Sequence, residues 1–503
     1  MTGADSALVA IRRMEPPRAY PPAEERFSPD TRYPEYPFKH VSRAPNPVYR
    51  AVRELLRDLG LDRENFDTPR WNPLRAWVAA GQSVFCLVNF VTHRRLGQSA
   101  EDNLAMVTHP AVLRPVLDYL VLATGDAARV AFGNAPVQSA DVARLGQPLG
   151  LEALSRFYRE ETGHDPGHVD LRLYACEVSP LGYLRRAVEQ DDSAAVMFDT
   201  GAQSWLEGLP RESIDRFRVE DYAAEATQRY HGPGRHLYVV HRRVLEADLI
   251  LHVAKLKTHA KVGLTGGLKG AVGAIGRKDC LAHYRAGGAR QGGDEFRDDG
   301  PVVGAFGALG ERLHMDGSTY DNVLRIAHKN LARFLDLVAG SVIRGSWPGN
   351  DTTWRMALDI NRCLTYGTLD GRLADQPQRR IACMLDGVIA GEGEGPLHPK
   401  ARNDGLLLGA AEACLADLGA ALVMGFDPAR LPIVRNAFAA APYPLTARSM
   451  TDARFVVDGR PVPAADLPGR ATRPFEPPRA WRGHVELAAR SGAPLEVAGG
   501  VVG

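Results

Sequence analysis

Apolar positions follow two periods along the chain. Val52, Leu55, Leu56 and Leu59 fall on one helical face, and Gly60 follows as a stop, so the spacing predicts a helix over 48–59. Val84–Val91 is a short apolar run without polar alternation, as expected of a strand buried on both faces. Residues 110–123 read as a helix opening at Pro110 and ending at Gly125, followed by a strand over Arg129–Phe132. Further strands are expected at Asp170–Ala175, Ala195–Asp199, Leu237–His241, Asp248–Lys255 and Arg380–Ile389. Asn322–Val338 reads as an amphipathic helix, and residues 286–301 as a loop or lid. Gly405–Gly409 and Ala420–Gly425 read as strand-and-turn pieces around a helix at 410–418. This alternation predicts an α/β fold of two halves, each with a mainly parallel sheet flanked by helices. No fixed-period repeat is seen.

Proline marks the ends of the chain. Nine prolines between 16 and 47 predict an extended N-terminal arm, and the return of Pro, Arg and Gly after Pro468 predicts a surface strap. The expected division is arm and helix (1–70), a first α/β domain (71–320), a second α/β half (321–466) and a tail (467–503).

Composition narrows the classes. At 503 residues, 45% hydrophobic and 24% charged, the chain is long enough for a sizeable core and is neither disordered nor fibrous. A formal charge of +1 argues against a general binder of nucleic acid or membrane surface. No run approaches the roughly 18 apolar residues of a membrane span, and the first residues do not read as a signal peptide. The six cysteines stand singly, with no CxxC pair, so no iron–sulfur cluster or zinc ribbon is expected and a reducing cytoplasm is the natural location. A homo-oligomer stays open.

The chemistry concentrates after the Asp248–Lys255 strand. Lys255, Lys257 and His259 lead into Thr265-Gly266-Gly267-Leu268-Lys269-Gly270. Lysines beside glycine-rich backbone suit a carboxylate or phosphate. Lys255, Thr265, Gly266 and Gly267 are therefore candidate substrate contacts, with Asn89 and Asn134 at other strand ends. Lys257 and Lys269 are candidate catalytic groups. His259 should be neutral beside Lys257, and so able to take a proton or bind a metal. Asp386, Glu392 and Glu394 sit on a loop with four glycines. They could hold a divalent cation, act as general base or contact a sugar hydroxyl; a solvated turn is the plain alternative.

Several of these stretches together resemble the domain of unknown function 362 family over about residues 70–445. They are Glu246–Leu251, Lys255–His259, Thr265–Gly270 and Asp386–Pro396, with support from Val84–Val91, 129–141 and Met424–Asp427. The resemblance brings little function. Many members carry a lysine and proline where this chain has Leu87 and Val88, and the ferredoxin-type cysteines of some members are missing here. The step from His259 to Gly266-Gly267-Leu268-Lys269 is also similar to the central motif of lactate racemase. That likeness implies a lysine bearing a nickel-pincer nucleotide, an acid/base histidine, and a second, metal-binding histidine, for which His283 is the candidate.

The resulting expectation is a biosynthetic enzyme for a small anionic or polyhydroxylated substrate. Lys255, Lys257, His259, Thr265 and Lys269 would form one wall of its site, and Asp386, Glu392 and Glu394 the other. Isomerisation or epimerisation, or a related redox step, is favoured. The alternatives are a transferase or ligase with magnesium at the acids, and a non-catalytic binding protein.

Overall fold

The apolar runs come together in one large sheet. The computed structural model describes residues 7–16, 18–93, 97–178, 184–189, 192–297, 301–313, 321, 323–328, 330–331 and 344–487. The strands are β1 (Leu8–Arg13), β2 (Val84–Val88), β3 (Val130–Asn134), β4 (His168–Asp170), β5 (Leu249–His259), β6 (Arg380–Glu394), β7 (His398–Arg402), β8 (Leu406–Ala410), β9 (Arg454–Val457) and β10 (Arg460–Val462). Their order is β10-β9-β1-β8-β6-β5-β2-β3-β4, with β7 hairpinned onto β6. From β6 through β5, β2 and β3 to β4 every pairing is parallel. β8 joins β6 antiparallel, β1 joins β8 antiparallel, and β9 runs parallel to β1.

Successive residues feed opposite layers. Val84, Cys86 and Val88 of β2 and Leu249, Leu251 and Val253 of β5 enter one apolar core. Phe85, Leu87, Ile250, Ala254 and Leu256 enter the other. This is the period-2 geometry of a sheet sandwiched between helical layers. The first layer holds α1 (Pro47–Asp58) and α2 (Pro110–Thr124), each with proline at its start. Asn46 caps α1 by accepting the Tyr49 amide at 3.0 Å. The second layer holds α3 (Gly266–Gly270), α4 (Thr353–Tyr366) and α5 (Ala413–Met424).

The α/β class with a mainly parallel sheet flanked by helices stands. The strands expected in two separate halves share one sheet, since β5 and β6 pair directly from Leu249–Arg380 to Lys255–Asp386. The arm is packed: Phe27, Tyr36 and Phe38 are buried in the α1/α2 core, where aromatic burial outweighs the proline signal. Ala420–Gly425 is the end of α5 and its Gly425 cap; α5 is buried all round, which hides its helical period. The expected strand at 170–175 breaks into β4 and a separate hairpin strand, Tyr174–Val178. The expected lid is tied down at Asp294, which accepts from Thr352 Oγ1 at 2.6 Å and from the Arg285 amide at 2.6 Å. Residues 298–300 of that segment, and most of the helix expected over 322–338, lie outside the described residues.

Candidate functional site

β5 is buried along all eleven residues and delivers Lys255, Lys257 and His259 at its carboxyl end, where open parallel sheets place ligands. Two environments meet there.

In the first, charge is satisfied within the protein. Lys255 Nζ donates to Asp386 Oδ2 at 2.8 Å, Tyr20 Oη at 2.8 Å and the Ile389 carbonyl at 3.1 Å. Tyr20 in turn donates to Asp386 Oδ1 at 2.7 Å, and the His109 amide donates to Oδ2 at 2.9 Å. The Tyr20 ring stacks on His109 with centroids 3.8 Å apart. Burial pulls the Lys255 ammonium down and Asp386 pulls it back up. Burial, then Lys255, drives His109 well below the ordinary imidazole range. Lys255 is thus an internal strut with its three donors used, and Asp386 is its counter-ion. The N-terminal arm supplies the tyrosine.

In the second environment, cations face one another. The loop after β5 folds back as a hairpin, pairing His259 with Gly263, and leads into α3. His259 Nδ1 accepts the Lys261 amide at 3.1 Å, which leaves the ring proton on Nε2. Burial lowers His259 far below the ordinary range, and Lys269, Lys261, Lys257 and His283 lower it further. Burial, Lys269, Lys261 and Lys278 do the same to His283. Burial, then Lys261, pushes Lys269 down to about 8. Burial, then Lys269, pushes Lys278 down to about 7. Three of the lysines already have partners. Lys257 Nζ donates to the Met106 carbonyl at 2.5 Å. Lys261 Nζ donates to the Arg344 carbonyl and pairs with Glu220 at 3.4 Å. Lys278 Nζ donates to the Val272 carbonyl at 3.1 Å. Among the described residues, no hydrogen bond or ion pair engages the Lys269 ammonium, and none joins the His259 or His283 ring to a carboxylate.

The glycine-rich turn does not present its amides to a ligand. Gly267 N–H and Leu268 N–H donate to the Asp417 carboxylate of α5 at 2.7 and 3.0 Å. Burial pushes Asp417 up to about 7, against the pull of those two bonds. Gly266 has φ +51°, and a Cβ there would lie 2.1 Å from Asp417 Oδ1. A Cβ on Gly267 would lie 2.7 Å from Cys383 Sγ. Both glycines serve close packing of α3 on β6 and α5. Thr265 anchors the same turn, its amide donating to the Lys257 carbonyl at 3.0 Å. The asparagines are also internal. Asn89 Oδ1 accepts the Lys255 amide at 2.9 Å, and Asn134 Nδ2 donates to the Phe90 carbonyl at 3.2 Å.

The acids do not form an opposing wall. Glu392 is fully buried and accepts from Arg402 Nη1 at 2.8 Å, Arg473 Nη1 at 2.9 Å and the Glu476 amide at 3.0 Å. Burial would raise its carboxyl, but the bonds from Arg473, the Glu476 amide and Arg402 outweigh it and hold it below the usual range. Glu394 is exposed and accepts the Arg479 amide at 2.6 Å. Asp386 sits beside Lys255 instead of across from it. His283 lies with the lysines. Among the described residues, no group of three or more His, Cys, Asp or Glu could hold a metal ion. The expected metal set of Asp386, Glu392, Glu394 and His283 is therefore corrected: the acids are consumed by arginine, lysine and backbone partners. Lys269 lies close enough to His259 and His283 to lower the proton affinity of both, but no metal ligand set accompanies them among the described residues.

The sequence reading missed Tyr20, His109, Lys261, Lys278 and Asp417. Lys261 and Lys278 simply continue the lysine run and could have been found by following it. Nothing local marks Tyr20, which meets a partner 366 positions away.

Comparison with known proteins agrees with part of this picture. Residues 179–421 match the family model described as Domain of unknown function (DUF362). The family resemblance is borne out through β5, α3 and β6. Val84–Val91, 129–141 and Met424–Asp427 fall outside the matched span. No curated protein and no solved structure matches the chain. The likeness to lactate racemase therefore rests on its few motif positions alone.

Proposed function

We propose that the chain binds a small, multiply charged anion among Lys261, Lys269, Lys278, His259 and His283, and moves a proton on it. The observation that carries this reading is that Lys269 has no hydrogen bond or ion pair among the described residues, while burial first, and then Lys261 for Lys269 and Lys269 for Lys278, His259 and His283, lowers the proton affinity of these groups. Like charges held together in a protein interior are costly, and a bound anion relieves that cost. The lysines would hold a phosphate or carboxylate and stabilise negative charge developing on a neighbouring oxygen. His283, neutral near pH 7, could remove a proton from carbon and return it, while His259 Nε2–H could donate to the developing negative charge. That favours an isomerase or epimerase.

The transferase reading required magnesium at the acids, and those carboxylates are already tied to Arg402, Arg473, the Arg479 amide and Lys255. Thermal unfolding in phosphate and in pyrophosphate at pH 7 tests the binding. An anion at 100 times its Kd should stabilise the protein by about 2.7 kcal/mol. Equal unfolding midpoints in phosphate and in chloride of matched ionic strength would overturn the reading.

A further inference from the structure

β6 begins at Arg380, β1 begins at Leu8 and β8 ends at Ala410. These three strand ends lie together, because Ala410 pairs with Val9 on one side and with Cys383 on the other. A groove of about 1260 Å³ opens there. Ordinary small-molecule sites occupy about 300–1,000 Å³. Leu59, Leu61 and Trp77 line the groove from one core, and Leu268 and Ala413 from the other, so it crosses the end of the sheet between the two layers. Walls of that kind suit an apolar chain.

The charges on the groove do not balance. Arg379, Arg380 and Glu412 all line it. Glu412 is matched by Arg448 at 3.4 Å. Arg379 is buried, and donates Nη1 to the Leu364 carbonyl at 2.6 Å and Nη2 to the Gly367 carbonyl at 2.8 Å. Those bonds cap the carboxyl end of α4 but supply no full counter-charge. Its Nε has no hydrogen-bond partner. Among the described residues eight arginines are buried, and seven of them pair with a carboxylate within 3.4 Å. Arg379 is the exception. Arg380 beside it is exposed, donates Nη1 to the Ala76 carbonyl at 2.9 Å, and has no ion pair among the described residues. A buried cation is ordinarily paired, and a guanidinium suits a carboxylate best.

We propose that this groove binds an amphipathic carboxylate, its unbranched apolar chain along the groove and its head at Arg379 and Arg380. The head completes the ion pair that the fold leaves out at Arg379. The inference goes beyond the anion site and does not depend on it.

The test titrates the full chain by calorimetry at pH 8 with octanoate, decanoate and dodecanoate, each below its micelle concentration. Every added methylene should tighten binding about fourfold. Dodecyltrimethylammonium, with the same tail and a cationic head, should bind about tenfold more weakly than dodecanoate, or worse. Gln378→Glu puts a negative charge at an exposed groove position next to Arg379, and should weaken dodecanoate several-fold without moving the unfolding midpoint. Arg380→Gln should do the same. Equal affinity for the two heads, or affinity that does not grow with chain length, overturns the proposal. So does dodecanoate binding that neither variant weakens, or no dodecanoate binding at all. Dimerisation in the ultracentrifuge without dodecanoate binding gives the groove to a second copy of the chain and overturns it as well.

Discussion

Lys255, near the carboxyl end of β5, and Lys269, on α3, stand fourteen positions apart, and the protein treats them in opposite ways. Lys255 is fully buried, bonded to Asp386, Tyr20 and Ile389, and balanced by one negative charge. Lys269 is half-buried among Lys261, Lys278 and two imidazoles, with no bond of its own among the described residues. A buried cation that serves stability is given a counter-charge. A cation left unbalanced beside others destabilises the empty protein, a cost that a ligand can lift. The contrast separates scaffold from site within a single lysine-rich segment.

Mutations should break this comparison unevenly. Asp386→Ala strands the Lys255 ammonium in the interior and should cost about 3–5 kcal/mol in urea unfolding. Asp417→Ala leaves the Gly267 and Leu268 amides unpaired and should cost about 1–3 kcal/mol for each, while loosening the helix that carries Lys269. Tyr20→Phe removes one donor to Asp386 and one acceptor from Lys255, a loss of about 1 kcal/mol by the same measurement. Lys269→Met should stay within about 0.5 kcal/mol of wild type or gain stability, yet lose most of the stabilisation by phosphate.

The pH dependence sharpens the same point. Lys269 and Lys278, lowered to about 8 and about 7 in the fold, bind fewer protons there than in the unfolded chain, where both are near 10.5. Stability from this pair therefore rises with pH between about 7 and 10.5. The double variant Lys269→Met, Lys278→Met should gain most over wild type at pH 7, and that gain should shrink by pH 10. A gain that does not change with pH would show that the two ammonium groups are not destabilised by the fold.

Local pattern made β2, β5, β6 and the lysine segment legible, because a strand buried on both faces writes an unbroken apolar run. The pairing of Lys255 with Asp386 was not legible, because it depends on two strands 131 positions apart becoming neighbours. The acids of β6 looked free for the same reason: their partners, Arg402 and Arg473, come from β7 and from the C-terminal segment. In the sequence, Gly266 and Gly267 read as an anion cradle. Asp417, on a helix with no polar face to announce it, takes their turn's amides instead.

The central claim is that Lys269 and Lys278, without an ion pair among the described residues, await an anion. Calorimetric titration with pyrophosphate at pH 7.5, repeated in two buffers of different ionisation enthalpy, tests it most directly. The account predicts binding that draws protons from the buffer, since the anion raises the proton affinity of Lys269 and Lys278, and predicts that Lys269→Met, Lys278→Met loses that uptake. Binding with no proton uptake, or no binding at all, would contradict it.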